Sequence, residues 1–219
     1  MVGDDGIGRM LDCPTPRALS PQDIALIIED YRVAARNADL AGFDGVEIHA
    51  GNGYLIDQFL RTTSNHRQDA YGASRENRLR FLMEVTSAVA EQIGAARVGV
   101  RLAPFITARN MACPDIIATI VQAAALLGEA GIGYVHLSEA DWDDAPQIPD
   151  DFRQQLRAAF NGAIIVAGRY TPERGEALLQ QGLADLIAFG RSFIANPDLP
   201  ERLARQAPLA DFDGKRLFG

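Results

Sequence analysis

The sequence contains no apolar run approaching the ~18 residues that a membrane span needs. Its first residues, Met1-Val2-Gly3-Asp4-Asp5, have neither the basic flank nor the apolar core of a signal peptide. Both absences point to a cytoplasmic protein with no membrane contact. Cysteine is scarce: Cys13 and Cys113 stand far apart, which excludes a disulfide framework or a cysteine-rich metal site and leaves two reduced thiols. Basic charge is in deficit, 21 Lys+Arg against 29 Asp+Glu, for a formal net charge of −8. A field of that sign repels nucleic acid and anionic membranes, so any phosphate must be captured locally.

What remains is ordinary globular composition, 47% hydrophobic and 23% charged over 219 residues, enough for one domain. Residues 1–19 have no helical or strand period, and Gly3, Gly6 and Gly8 follow no strand, so they read as an N-terminal loop rather than a dinucleotide loop. At Ser20 the punctuation changes. Ser20 suits an N-cap, Pro21 the first helical position and Asp23 the first turn, and apolar residues then recur at helical spacing until Gly42, a C′ glycine. Short apolar strands follow at Gly45–His49, Val98–Leu102, Tyr134–Ser138, Ala163–Gly168 and Leu186–Arg191. Helices are expected at Arg75–Ile93, Asp115–Ala130, Asp150–Phe160, Pro172–Gln181 and Pro200–Gln206. Buried strands separated by helices imply parallel βαβ units. Turns before the strands are short and glycine-bearing, while connections after them are longer and polar. A (β/α)8 TIM barrel with its site at the C-terminal strand ends has that asymmetry. Only about five units are present, so the fold is read as a partial barrel over residues 20–206, with 207–219 a C-terminal tail.

Strand alternation places side chains. In Val46-Glu47-Ile48-His49, the apolar pair faces the helices and leaves Glu47 and His49 on the inner face; in Val98-Gly99-Val100-Arg101, Gly99 and Arg101 share that face. An isolated charge there is costly, so Glu47 and Arg101 are expected either to pair or to contact a ligand. Beyond the first strand, His49 and Asn52 can converge as donors on one carbonyl or nitro oxygen, and the Tyr54 phenol can give a proton. Arg61–Arg78 is polar and well punctuated, and reads as a structural clamp ahead of the Ser74-capped helix. Two further strand ends finish in Gly-Arg, at Gly168-Arg169 and Gly190-Arg191, each suited to cradle an anion. In a barrel the last two strands are the usual phosphate site.

These residues resemble the Old Yellow Enzyme family of FMN-dependent ene-reductases. The likeness rests on His49-x-x-Asn52-x-Tyr54, Gln58-Phe59-Leu60, Ser64-Asn65-His66-Arg67, Tyr71-Gly72-Ala73-Ser74-x-Glu76-Asn77-Arg78, Val98–Pro104, His136-Leu137-Ser138-Glu139 and Phe189-Gly190-Arg191 through Leu199. Within the family the chain looks most like the N-ethylmaleimide reductase branch. The resemblance implies FMN as cofactor, NADPH or NADH as reductant, and an electron-poor alkene or nitro compound as substrate. It also implies that His49 and Asn52 bind the substrate's electron-withdrawing oxygen, that Tyr54 is the catalytic proton donor, and that Arg101 lies against the flavin. Gly168, Arg169, Gly190 and Arg191 would hold the phosphate. No metal is implied.

The departures from the family are specific. Ala73 replaces the second glycine of a Tyr-Gly-Gly-Ser segment, and the loop Phe105–Asn110 is the chain's own. The family's first three βα units, with their Pro-Leu-Thr and Gln-Leu-x-His segments, have no counterpart, and the C-terminal aromatic segment is cut at Leu217-Phe218-Gly219. A second reading follows: a non-catalytic partial barrel that keeps the phosphate cradle and needs another chain, or a homo-oligomer, to cover its open edges. A sugar-phosphate enzyme without flavin shares the cradle but gives no role to His49, Asn52 and Tyr54.

Overall fold

A computed structural model describes residues 15–107, 111–139 and 148–214. Cys13, residues 108–110 of the variant loop and the terminal Leu217-Phe218-Gly219 lie outside that range. Helix α1, Pro21–Leu40, starts as its sequence predicts: the Ser20 hydroxyl accepts from the Asp23 amide at 3.1 Å, and the Asp23 carboxylate accepts from the Ser20 amide at 2.8 Å. This reciprocal box satisfies two of the amides that a helix start leaves open. The helix closes at Ala41, followed by Gly42 at φ +86°.

Five strands follow: β1 (Val46–Ala50), β2 (Val98–Leu102), β3 (Tyr134–Ser138), β4 (Ala163–Ala167) and β5 (Leu186–Ala188). They form one parallel sheet in sequential order, each strand paired with the next. Between and after them lie α2 (Leu55–Leu60), α3 (Arg75–Ile93), α4 (Ile116–Glu129), α5 (Asp150–Ala159), α6 (Pro172–Gln180), α7 (Arg191–Ala195) and α8 (Leu199–Arg205). Sequential parallel order with a helix after each strand is the winding of a (β/α) barrel, here five units of it. Among the described residues no helix is long and apolar enough to cross a membrane.

The core lies between the sheet's outer face and the helices. Ile48, Val100, Val135, Leu137, Ile164 and Val166 are all buried and share one cluster with Leu82, Val85, Ile120, Leu127 and Phe152. The alternation read from β1 and β2 therefore assigns the faces correctly. Glu47, His49, Arg101, Tyr134 and His136 are left on the opposite face.

Two expectations need correction. The fifth strand ends at Ala188, three residues short of Arg191: the chain turns at Gly190 (φ −94°, ψ −82°), and Arg191 opens α7. Ladder pairing with β4 stops at Ala167–Ala188 because β4 has itself ended. Segment Leu55–Leu60, to which the sequence assigns no element, is helix α2; six residues are too few for a helical period to stand out.

Candidate active site

The C-terminal ends of β1 and β2 come together first. Gly51 follows β1 so closely against the chain after β2 that a Cβ on it would lie 3.0 Å from the Ala103 methyl. The chain then turns through Asn52 (φ +57°) and Gly53 (φ +77°), with the Tyr54 amide donating to the Gly51 carbonyl at 3.2 Å. Left-handed backbone suits asparagine and glycine better than other residues, so the turn and its carboxamide are specified together. Asp57 on α2 pins the turn by accepting from the Gly53 amide at 2.9 Å. Its other oxygen accepts from Arg61 Nε at 2.8 Å, and Arg61 donates to the carbonyls of Ala103 and Met111 at 2.5 and 2.7 Å. Asp57 and Arg61 are both fully buried, so this pair welds the first active-site turn to the loop beyond β2.

His49, at the end of β1, stands 5.3 Å from Tyr54 between ring centroids. Burial first, and then the charge of Arg101, hold its imidazole below the ordinary pKa. At neutral pH it is an uncharged ring with one N–H to donate. Tyr54 is 52% exposed and Asn52 half-buried, so all three polar groups stand on one accessible rim. The structure thus brings together the three residues that the sequence singled out.

The inner face answers the question left open for Glu47 and Arg101. Glu47 pairs with His136 on β3, Oε2 to Nδ1 at 2.8 Å. Strand register explains why: Gly99 stands between Glu47 and Tyr134, and a Cβ there would fall 2.0 Å from the Tyr134 ring, so the ring crosses β2 toward β1. Burial pushes the Glu47 carboxyl up, but the His136 hydrogen bond and the positive charges beside it outweigh that and hold it below its ordinary value. Tyr134 is pushed up to about 12, by burial first and then by the Glu47 charge. Arg101 donates to the Ser138 hydroxyl at 3.4 Å, while its Nε is buried with no partner among the described residues. His136 Nε2 is in the same condition. In the sequence His136 stands out only as part of a motif; alternation within Tyr134–Ser138 is the signal that places it inward.

The second half of the site is a cleft of about 390 Å³ at the C-terminal ends of β4 and β5. Arg101, His136, Gly168, Arg169, Gly190 and Arg191 all line it. Gly168 is sterically demanded, because a Cβ would come 2.7 Å from the Glu139 carbonyl oxygen; a Cβ at Gly190 would meet nothing within 4 Å. The cleft therefore combines buried nitrogens seeking partners, three arginines and open backbone at a glycine. Such a donor set fits an anionic, hydrogen-bonding cofactor such as FMN.

The polar loop after α2 behaves as a clamp. The Asn65 amide spans the carbonyls of Phe59 and Tyr71, Arg67 reaches the Leu19 carbonyl at 2.6 Å, and Arg78 holds the carbonyls of Leu60 and Ala73. Ala73, where the family has glycine, sits at φ +63°.

Comparison with known proteins places the chain's family and fold. The model of the NADH:flavin oxidoreductase / NADH oxidase family matches residues 5–210. The chain is 44% identical to 12-oxophytodienoate reductase 2 of Arabidopsis thaliana over 205 residues, covering 93% of this chain and 55% of that protein. Among solved structures, morphinone reductase superposes with a TM-score of 0.93 at 45% identity, over 98% of this chain and 57% of its own. The old yellow enzyme homologue from Zymomonas mobilis gives 0.85 at 38% identity, over 96% and 61%. Eight curated relatives at 43–46% identity are covered over 54–69% of their length. The chain belongs to the Old Yellow Enzyme family of NADH:flavin oxidoreductases and corresponds to the C-terminal part of its barrel.

Proposed function

We propose that this chain carries the substrate-activating and phosphate-binding part of an FMN-dependent ene-reductase acting on electron-poor alkenes or nitro compounds. The observation that carries the proposal is the placement of a donor pair and a phenol on one rim, beside a cleft whose buried Arg101 Nε and His136 Nε2 have no partner among the described residues. His49 and Asn52 hold the electron-withdrawing oxygen of the substrate: a neutral imidazole N–H and a carboxamide N–H both donate to it, and their donation strengthens as charge builds on that oxygen. The Tyr54 hydroxyl delivers a proton to the α-carbon, and its exposure leaves water free to restore that proton. FMN, when bound, supplies the hydride, taken from NADPH or NADH. Arg101 would hold the flavin ring from the inner face, where its charge favours an anionic reduced ring. Gly168, Arg169, Gly190 and Arg191 would hold the phosphate. A solved morphinone reductase complex with tetrahydroNAD supports a nicotinamide as the reductant. Activity is tested by oxidation of NADPH and of NADH in the presence of FMN and a maleimide or cyclohexenone. Turnover that requires FMN and alkene together is expected, and none with either reductant contradicts the proposal.

A second reading has its own observation. Among the described residues β1 and β5 each have one neighbouring strand, and Leu186 on β5 is 52% exposed. Open parallel edges recruit further strands, so a non-catalytic partial barrel completed by another chain or a second copy also suits the fold. A flavin-free, monodisperse oligomer in light scattering favours that reading; a flavin-binding monomer contradicts it.

A further inference from the structure

Behind the Gly168-Arg169 segment lies a buried charge cluster with no part in the chemistry above. Glu139 immediately follows β3 and is 5% exposed. Its Oε1 accepts from Arg153 Nη1 at 2.6 Å; its Oε2 accepts from Arg153 Nη2 at 2.8 Å and from the Tyr170 hydroxyl at 2.7 Å. Arg153 belongs to α5 and Tyr170 to the connection between β4 and α6, so one carboxylate ties three successive segments together. The backbone makes the same join: the Glu139 amide donates to the Ala167 carbonyl at 2.7 Å, and Gly168 packs directly on the Glu139 carbonyl. Arg174 on α6 extends the cluster toward the cleft. Its guanidinium lies 4.5 Å over the Tyr170 ring, Nη2 is 3.9 Å from Glu139 Oε2, and Nη1 donates to the Arg169 carbonyl at 3.1 Å.

A buried ion pair of this kind is often no more stabilising than apolar residues of equal volume. A carboxylate next to an anion site would also repel the anion unless its charge were balanced. Here Arg153 balances it bidentately, and the bonds from the Tyr170 hydroxyl to its Oε2 and from its own amide to the Ala167 carbonyl lead to residues 167–170, which form one wall of the cleft. We propose that Glu139 is a positioning residue for phosphate recognition: through Tyr170 and Arg174 it fixes the Gly168-Arg169 backbone in the form that receives the cofactor's phosphate. This rests on the FMN reading of the cleft.

Quenching of flavin fluorescence gives the chain's affinity for FMN and for riboflavin, which differs by lacking the phosphate. The ratio isolates the phosphate contribution, which a general loss of stability would not change selectively. In the unaltered chain FMN should bind much more tightly. Glu139→Gln should cut that preference about tenfold, the scale of one hydrogen bond to a charged group, with riboflavin affinity almost unchanged. Because Glu139→Gln leaves Arg153 buried without a charge partner, Tyr170→Phe provides a milder variant. It removes one hydroxyl, keeps the ring beneath Arg174, and should cut the preference severalfold. A preference intact in Tyr170→Phe, and in Glu139→Gln where that variant folds, overturns the role of Glu139 and leaves the FMN reading standing. Equal affinity for FMN and riboflavin in the unaltered chain overturns the phosphate reading, and the role of Glu139 with it.

Discussion

Arg101 and Tyr54 stand on different surfaces, one on the sheet's inner face and the other on the exposed rim, so the duties proposed for them are separable. Tyr54→Phe should slow alkene reduction at least tenfold, the lower part of the range for a lost general acid, while flavin reduction by NADPH continues. Stopped-flow measurement of the two half-reactions checks this, and slowing of the NADPH half alone contradicts the proton-donor role. Arg101→Ala should weaken FMN binding more than Tyr54→Phe does; equal affinities would remove Arg101 from the flavin site. The two glycines proposed to hold the phosphate should also differ. Gly168→Ala forces a methyl to within 2.7 Å of a backbone oxygen and should destabilise the fold by about 1–3 kcal/mol. Gly190→Ala meets open space and should leave the thermal midpoint unchanged while weakening FMN, since the methyl enters the cleft. At this scale, alternation made the inward direction of Glu47, His49 and Arg101 legible from the sequence. The pairing of Glu47 with His136 was not, because it depends on register across three strands and on the Tyr134 ring filling the space above Gly99.

Elements announced by punctuation were legible, and those decided by packing were not. The Ser20–Asp23 box and the Ser74 cap are local chemistry, so α1 and α3 begin where the sequence says. Helix α2 exists because Asp57 and Arg61, one turn apart, bury a pair whose partners lie beyond β2, and no local pattern reports that. Removing the cation alone should therefore be severe. Arg61→Met strands a buried carboxylate and two carbonyls, and should cost about 3–5 kcal/mol in urea unfolding; a loss below about 1 kcal/mol would show that the pair does not hold the turn. The last strand is shorter than its sequence suggests for a related reason: apolar residues run on past Ala188 into Phe189, but β4 offers no further ladder.

For the whole molecule, charge sets the acid limit. Asp23, Asp69 and Asp198 are held below the ordinary carboxylate value, in each case first by a hydrogen bond from an arginine, Arg17, Arg67 and Arg202. Their folded-state values lie below those of the unfolded chain, so the stability they add is complete above the unfolded value and is lost as pH falls toward the folded one. The thermal midpoint should ease slightly as pH falls through about 6.5, where the unfolded chain protonates His49 more readily than the fold does, and fall further below about pH 4 as these carboxylates protonate. These pairs are exposed, so the fall should be shallow and altered by salt; a midpoint that rises on acidification would contradict the assignment.

Five βα units among the described residues hold the proposed donor pair, the phenol and the arginine-lined cleft in one connected piece. The central claim is that this piece binds FMN productively. Its most direct test is the visible absorbance of the purified chain after incubation with FMN and removal of free flavin. A yellow protein that NADPH bleaches and an electron-poor alkene re-colours is expected. A protein that stays colourless after FMN is offered would contradict it.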